Sequence, residues 1–274
     1  MNFIKKLAIA GAAASLASSM VFAADAGKHP NEYEWTFKGP MGKYDRESVQ
    51  RGFQVYKEVC AACHSLNYFK FRNLAAVGFT EDEIKAIAAE YEVAGEPDDY
   101  GDPTTRTALP QDGIPAPFPN EQAARAANGG ALPPDLSVIT RARHYGADYI
   151  RSLLTGYEDP PTAEIADKVG DKYYNPYFKG GAIGMAAPLG DGYVEYSDGS
   201  YPTMDEAVED VTYFLAYVAD PHLEQRHSVG LSSIGFLIIM TVLLYLSKKK
   251  IWAPVYAGRN VVEEAEEKEK QKEA

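Results

Sequence analysis

The chain has 274 residues, a formal charge of −12 and an apolar fraction of 46%. Those values fit one ordinary globular domain with appendages. The acidity excludes nucleic acid as a partner and favours a basic protein, because opposite fields speed encounter.

The N-terminus opens on a basic "MNFIKK", followed by the apolar, small-residue run "LAIAGAAASLASSMVF" and by "VFA", with Val21 and Ala23 placed as a signal peptidase requires. This predicts a cleaved secretory signal over 1–23 and an exported domain over 24–227. A helix is expected from Arg46 to Val59, with Asp45 as N-cap and Val49, Phe53, Tyr56 and Val59 on one apolar face. Gly52 interrupts that helix, which implies close approach by another element. Residues 80–92 form a second expected helix, opened by a Thr80–Glu83 capping box. A Pro-, Gly- and Asp-rich stretch over 95–120 reads as a long irregular loop.

"EQAARAANGG" predicts a short helix stopped at Gly129, and "PPDLSVITRARH" and "ADYIRSLLTGY" predict two more, the second ending at Gly156. "YYNPYFKGGAIGMAAPLGDG" has no helical period, and "YVEYSDGSYPT" predicts a hairpin turned at Asp198–Gly199. "TMDEAVEDVTYFLAYVADP" is a strong helix whose face is Met204, Ala207, Val211, Phe214, Leu215 and Val218, ended by Pro221. Val229–Leu246 is 18 residues without a charge, followed by "SKKK". It predicts a membrane anchor over 228–247, with Trp252 and Tyr256 at the interface and a cytoplasmic tail over 248–274 by the positive-inside bias. The tail after Arg259 is charged and is expected to be disordered or loosely helical. Residues 24–228 carry 18 Lys and Arg against 33 Asp and Glu, a difference of −15. Glu81, Asp82 and Glu83 form one acidic group and Asp98, Asp99 and Asp102 another, and the second suits the docking of a basic partner.

Both cysteines lie in "CAACH" at residues 60–64. A redox dithiol places C-x-x-C at the end of a strand, and a zinc site needs further ligands at matching spacing. The third reading is covalent haem, for which C-x-x-C-H is the attachment pattern. His64 is then the first axial ligand by position, and its other ring N–H needs an acceptor. Candidates for the second ligand are Met41, Met185, Met204, His29, His144, His222 and His227. Met185 stands out, in a glycine-bearing loop stiffened by Pro188, and His144 is its main rival.

The blocks "RGFQVYKEVCAACHSL", "EQAARAANGGALPPDLSVITRARH", "DYIRSLLTGY" and "YYNPYFKGGAIGMAAPL", with the C-terminal anchor, resemble the cytochrome c1 family of bacterial type, the haem subunit of the cytochrome bc1 complex. The resemblance spans nearly the whole mature chain. It implies a mainly α, cytochrome c-like haem domain with long loops and a single C-terminal transmembrane helix. It implies one covalently bound haem c, held by Cys60 and Cys63, with His64 and Met185 as iron ligands. Asn128, Pro133, Pro134, Arg143 and Tyr149 are the further haem-binding positions, with the Pro134 carbonyl accepting the histidine N–H and Arg143 and Tyr149 near the propionates. Gly52 and Phe53 resemble the contact where the first and last helices cross, and Phe214 and Tyr217 supply the other side. Relatives often have "MPPP" or "MAPP" at the ligand, where this chain has "MAAP".

The implied activity is electron transfer from the Rieske iron–sulfur protein to cytochrome c, beside cytochrome b, in a dimeric complex. The implied location is the bacterial inner membrane, with the haem domain in the periplasm and the C-terminus in the cytoplasm. The chain itself would supply no acid–base or nucleophilic catalysis. A free-standing, membrane-anchored haem carrier or sensor is the alternative.

Overall fold

The computed structural model describes residues 27–257 and 260–273. The expected signal over 1–23 lies outside them. The chain divides into two compact units, Met1–Pro221 and His222–Ala274.

The first unit is built around two helices. α1, Arg46–Glu58, starts where the Asp45 carboxylate accepts the backbone N–H groups of Glu47 and Ser48, which satisfies two of the orphan donors of a helix start. It buries Val49, Gly52, Phe53 and Tyr56 as expected, and Val55 as well. The last helix of the unit, introduced below as α7, crosses α1 at Gly52. A Cβ at Gly52 would overlap the carbonyl of Asp210 and stand 2.8 Å from the Phe214 Cβ. Around this point Phe214 meets Phe53, Tyr56 and Phe69, with ring centroids 5.5, 5.6 and 5.6 Å away.

Between them the chain makes mostly short elements. A 3-10 turn at Cys60–Ala62 continues α1, and a second runs over Phe71–Val77. α2 covers Glu81–Ala89 and has the capping box at Thr80–Glu83. It is shorter than expected, because the next residues form β1, Glu92–Ala94, paired antiparallel with β2, Thr105–Thr107. The loop expected over 95–120 therefore begins as a hairpin, and Val93, Thr105 and Thr107 are β-branched residues that suit it. α3 spans Glu121–Ala127 and α4 only Ile139–Ala142. The longer helix expected at 133–144 does not form. Asp135 Oδ1 instead accepts the Ser137 N–H at 2.9 Å, a local turn that competes with the first helical turn.

α5 is Ala147–Thr155, and α6, Ala163–Val169, is a helix the sequence reading passed over. It has only seven residues, started by the Thr162 side chain and supported by a Lys168–Glu164 pair at 2.9 Å. β3, Tyr173–Tyr174, pairs with β4, Ala182–Ile183. The turn at Asp198–Gly199 exists, with Gly199 donating to the Tyr196 carbonyl at 2.8 Å. No ladder extends from it, and Pro202 has no N–H to contribute to one.

α7, Met204–Ala219, opens on a Thr203–Glu206 capping box. Its burial is wider than one face, and takes in Asp210, Thr212, Tyr213 and Tyr217 along with Val211, Phe214 and Leu215. Asp210 is tolerated there because Arg51 meets it through Nε at 2.7 Å and Nη2 at 3.0 Å, and the Tyr196 hydroxyl donates at 2.8 Å. A buried carboxylate is sustained only when paired and hydrogen-bonded in this way.

The second unit holds α8, Leu223–Tyr256, and α9, Val261–Glu273. α8 contains the apolar stretch and is long and apolar enough to cross a membrane. The tail is helical where disorder or loose helix was expected. Glu263 and Glu264 stand in its first turn and Lys270 and Lys272 in its last, the order that complements a helix dipole.

At an open helical position, Gly→Ala gains about 0.5–1 kcal/mol. Gly52→Ala should have the opposite sign, and overpacking against Asp210 and Phe214 should destabilise the domain by about 1–3 kcal/mol. Urea denaturation of the two proteins measures the difference.

Candidate functional site

The site grows from the C-terminal end of α1. Because the chain continues helically, the N–H groups of Cys63 and His64 both donate to the Cys60 carbonyl, at 3.1 and 2.9 Å. Residues three and four apart share one face of such a turn, so both sulfurs and the imidazole belong to a single turn. The buried Tyr56 hydroxyl donates to the His64 carbonyl at 2.9 Å and ties the turn back to α1. Burial and the neighbouring Cys63 push the Cys60 thiol up to about 12.

His64 Nδ1 lies 2.8 Å from the carbonyl oxygen of Pro134. A carbonyl can only accept, so Nδ1 carries the hydrogen and Nε2 presents its lone pair. Burial holds the imidazole pKa below its usual value, against the Pro134 hydrogen bond and the Asp135 charge, which raise it.

Segments 64–68 and 134–137 are laced together. Asp135 Oδ2 accepts from Ser65 Oγ and from the Asn67 N–H, both at 2.8 Å. The Leu136 N–H donates to the Ser65 carbonyl at 2.9 Å, and the Tyr68 N–H to Ser137 Oγ at 3.1 Å. Burial would raise the Asp135 pKa, but the donors around its carboxylate win and lower it. Ser65, Asp135 and Ser137 were not singled out from the sequence, and Tyr56 was read only as part of an apolar helix face. The signal available for Asp135 was its place directly after two prolines, where a helix start was expected instead.

The other expected positions are more dispersed. Asn128 spends its side-chain amide on its own helix, donating to the Ala124 carbonyl at 2.7 Å. Pro133 is half-buried and Pro134 exposed. Arg143 is exposed and Tyr149 half-buried. Burial raises the Tyr149 pKa, partly countered by the Arg143 cation. Met185 is half-buried, two residues beyond β4. Its loop is shaped by Gly180 and Gly181, both at positive φ, and by the fully buried Asn175, which donates to the Leu153 carbonyl at 2.7 Å. A Cβ at Gly184 would stand 3.2 Å from the Ala131 Cβ, so this loop meets the segment that leads to Pro134. His144 is exposed and packs on Tyr145, whose ring also meets His29, at centroid distances of 4.1 and 4.3 Å.

This donor set suits a haem. Two thiols and an imidazole share one turn, and the imidazole has one nitrogen committed to a carbonyl and one left for iron. The C-x-x-C pair follows a helix, unlike that of a redox dithiol, and no group of three His, Cys, Asp or Glu arranged for a metal ion occurs among the described residues.

A family model for cytochrome c1 matches residues 35–255. The chain belongs to the cytochrome c1 family. It is 48% identical over 241 residues to the mitochondrial cytochrome c1 haem protein of Saccharomyces cerevisiae, covering 88% of this chain and 78% of that protein. It is 43% identical over 263 residues to cytochrome c1 of Rhodospirillum rubrum, covering 88% of this chain and 97% of that one. A Bradyrhizobium diazoefficiens protein named cytochrome b/c1 is 46% identical over 245 residues, or 82% of this chain and 36% of the longer relative. As a member of the cytochrome c1 family, the chain is an electron-transport haem protein with a membrane helix.

Tyr56→Phe should remove the anchor on the His64 carbonyl and cost about 0.5–1.5 kcal/mol. Chemical denaturation of the variant beside wild type measures it.

Proposed function

We propose that the chain is the haem c subunit of a ubiquinol:cytochrome c oxidoreductase, taking one electron from a Rieske iron–sulfur protein and passing it to a cytochrome c. The observation that carries this reading is the 2.8 Å contact between His64 Nδ1 and the Pro134 carbonyl within a C-x-x-C-H turn. Cys60 and Cys63 would hold the haem through thioether bonds, and His64 Nε2 and Met185 sulfur would ligate its iron. Asn128, Pro133 and Pro134 would line it, with Arg143 and Tyr149 toward its propionates. Bound there, the haem supplies a one-electron ferric/ferrous couple, raised in potential by Met/His ligation relative to bis-histidine. The chain's own residues orient the imidazole and set its protonated nitrogen; the redox chemistry would be the cofactor's.

Cytochrome b is the proposed neighbour in a dimeric complex. The Bradyrhizobium relative, whose name joins b and c1, supports this. In the proposed topology, residues 1–23 are removed, 24–227 lie in the bacterial periplasm, 228–247 anchor the chain in the inner-membrane bilayer, and 248–274 are cytoplasmic. The three lysines after Ser247 support that orientation. Asp98, Asp99 and Asp102, in the exposed loop between β1 and β2, suit the docking of a basic cytochrome c. Co-purification with a cytochrome b after mild detergent extraction tests the assembly, and recovery of the chain alone would favour a free-standing carrier.

The double variant Cys60→Ser, Cys63→Ser should lose haem staining after denaturing electrophoresis, and staining equal to wild type would remove the covalent assignment.

Met185→Leu keeps the volume but removes the thioether. Its midpoint potential should fall, and the reduced protein should gain carbon monoxide binding. If neither changes, Met185 is not the ligand and His144 becomes the residue to replace.

A further inference from the structure

We infer that Asp135 is a positioning residue for the iron ligand, acting through the Pro134 carbonyl. The inference rests on His64 being that ligand. Asp135 follows Pro134 directly, and Ser65 follows His64, so the two partners of the 2.8 Å His64–Pro134 contact are each one residue from the same carboxylate clamp. The clamp uses both oxygens. Oδ2 holds Ser65 Oγ and the Asn67 N–H on one segment, and Oδ1 holds the Ser137 N–H on the other. The buried Ser137 extends it, since its hydroxyl accepts the Tyr68 N–H at 3.1 Å. One backbone bond, from the Leu136 N–H to the Ser65 carbonyl at 2.9 Å, also joins the two segments, which lie 70 residues apart in sequence, but it does not touch the Pro134 carbonyl. Core packing holds Leu66 and Leu136, the neighbours on either side, but does not aim a carbonyl at an imidazole nitrogen.

The physical consequence is specific. A hydrogen bond from Nδ1 to a carbonyl raises the basicity of the imidazole. A more basic imidazole favours ferric over ferrous iron. Loosening the clamp should therefore raise the midpoint potential, without removing either thioether.

The test uses the full-length, membrane-anchored protein, with haem staining and an equilibrium redox titration as readouts. Ser65→Ala combined with Ser137→Ala loosens the clamp without changing any charge, and Asp135→Asn removes the carboxylate itself. At a fixed ambient potential the ferrous-to-ferric ratio should rise for Asp135→Asn, as a less basic imidazole favours ferrous iron. It should rise in the same direction for the serine pair, with haem staining retained in both. An effect confined to Asp135→Asn would mean that charge alone acts and would overturn the clamp. So would a lowered melting temperature with an unaltered ratio in the serine pair. If the wild-type chain itself carries no covalent haem, the underlying haem reading fails instead.

Discussion

The crossing of α1 and α7 at Gly52 is the constraint on which the rest depends. The two helices are far apart in sequence, and they approach until no Cβ fits between Gly52 and the Asp210 carbonyl. That approach seats Phe214 among Phe53, Tyr56 and Phe69. The C-x-x-C-H turn is the continuation of α1, so the position of its imidazole follows from where this crossing places the helix end. Tyr56 shows the link directly, with its ring against Phe214 and its hydroxyl on the His64 carbonyl.

Three aspartates finish what the aromatic core begins. Asp210 joins Arg51 and Tyr196 beside the crossing. Asp148, in the first turn of α5, accepts from Trp35 Nε1 and Lys38 Nζ, both at 2.7 Å, and from the Tyr33 N–H at 3.2 Å. It thereby fastens the N-terminal segment to the helix that carries Tyr149. Asp135 sews the His64 segment to the Pro134 segment. Each carboxylate meets several donors, which for the buried Asp148 and Asp210 offsets desolvation and for the half-buried Asp135 fixes its position. Apolar packing is non-directional, whereas hydrogen bonds fix orientation, so these groups set angles that the core alone would leave loose.

The acidity of residues 24–228, with 33 Asp and Glu against 18 Lys and Arg, fits this division of labour. A few carboxylates are consumed inside, and most of the remainder are exposed and solvate the surface. Exposed pairs such as Lys85–Glu81, at 2.9 Å, contribute little stability. The summed negative field remains available to attract a basic partner over roughly 8 Å at physiological salt.

Much of the site was legible in the sequence because its signals are local. The spacing of Cys60, Cys63 and His64 is a property of one helical turn, the 18-residue apolar stretch is a property of length and hydropathy, and the caps at Asp45, Thr80 and Thr203 act within four residues. Gly52 was readable as a close-approach position from its interruption of an otherwise regular face, although the sequence could not show that the Asp210 carbonyl would meet it. The β1–β2 hairpin, the truncation of α4 and the short α6 were not legible, since each turns on a competition among weak local preferences. The clamp at Asp135 was illegible for a different reason. Beside the local Ser137 N–H, its donors come from residues 65 and 67, and a side chain's partners across such a gap exist only once folding has brought the segments together. The sequence by itself determined which groups could bind a cofactor; the tertiary structure decided how one imidazole is aimed, because aim depends on hydrogen bonds between segments that no local pattern encodes.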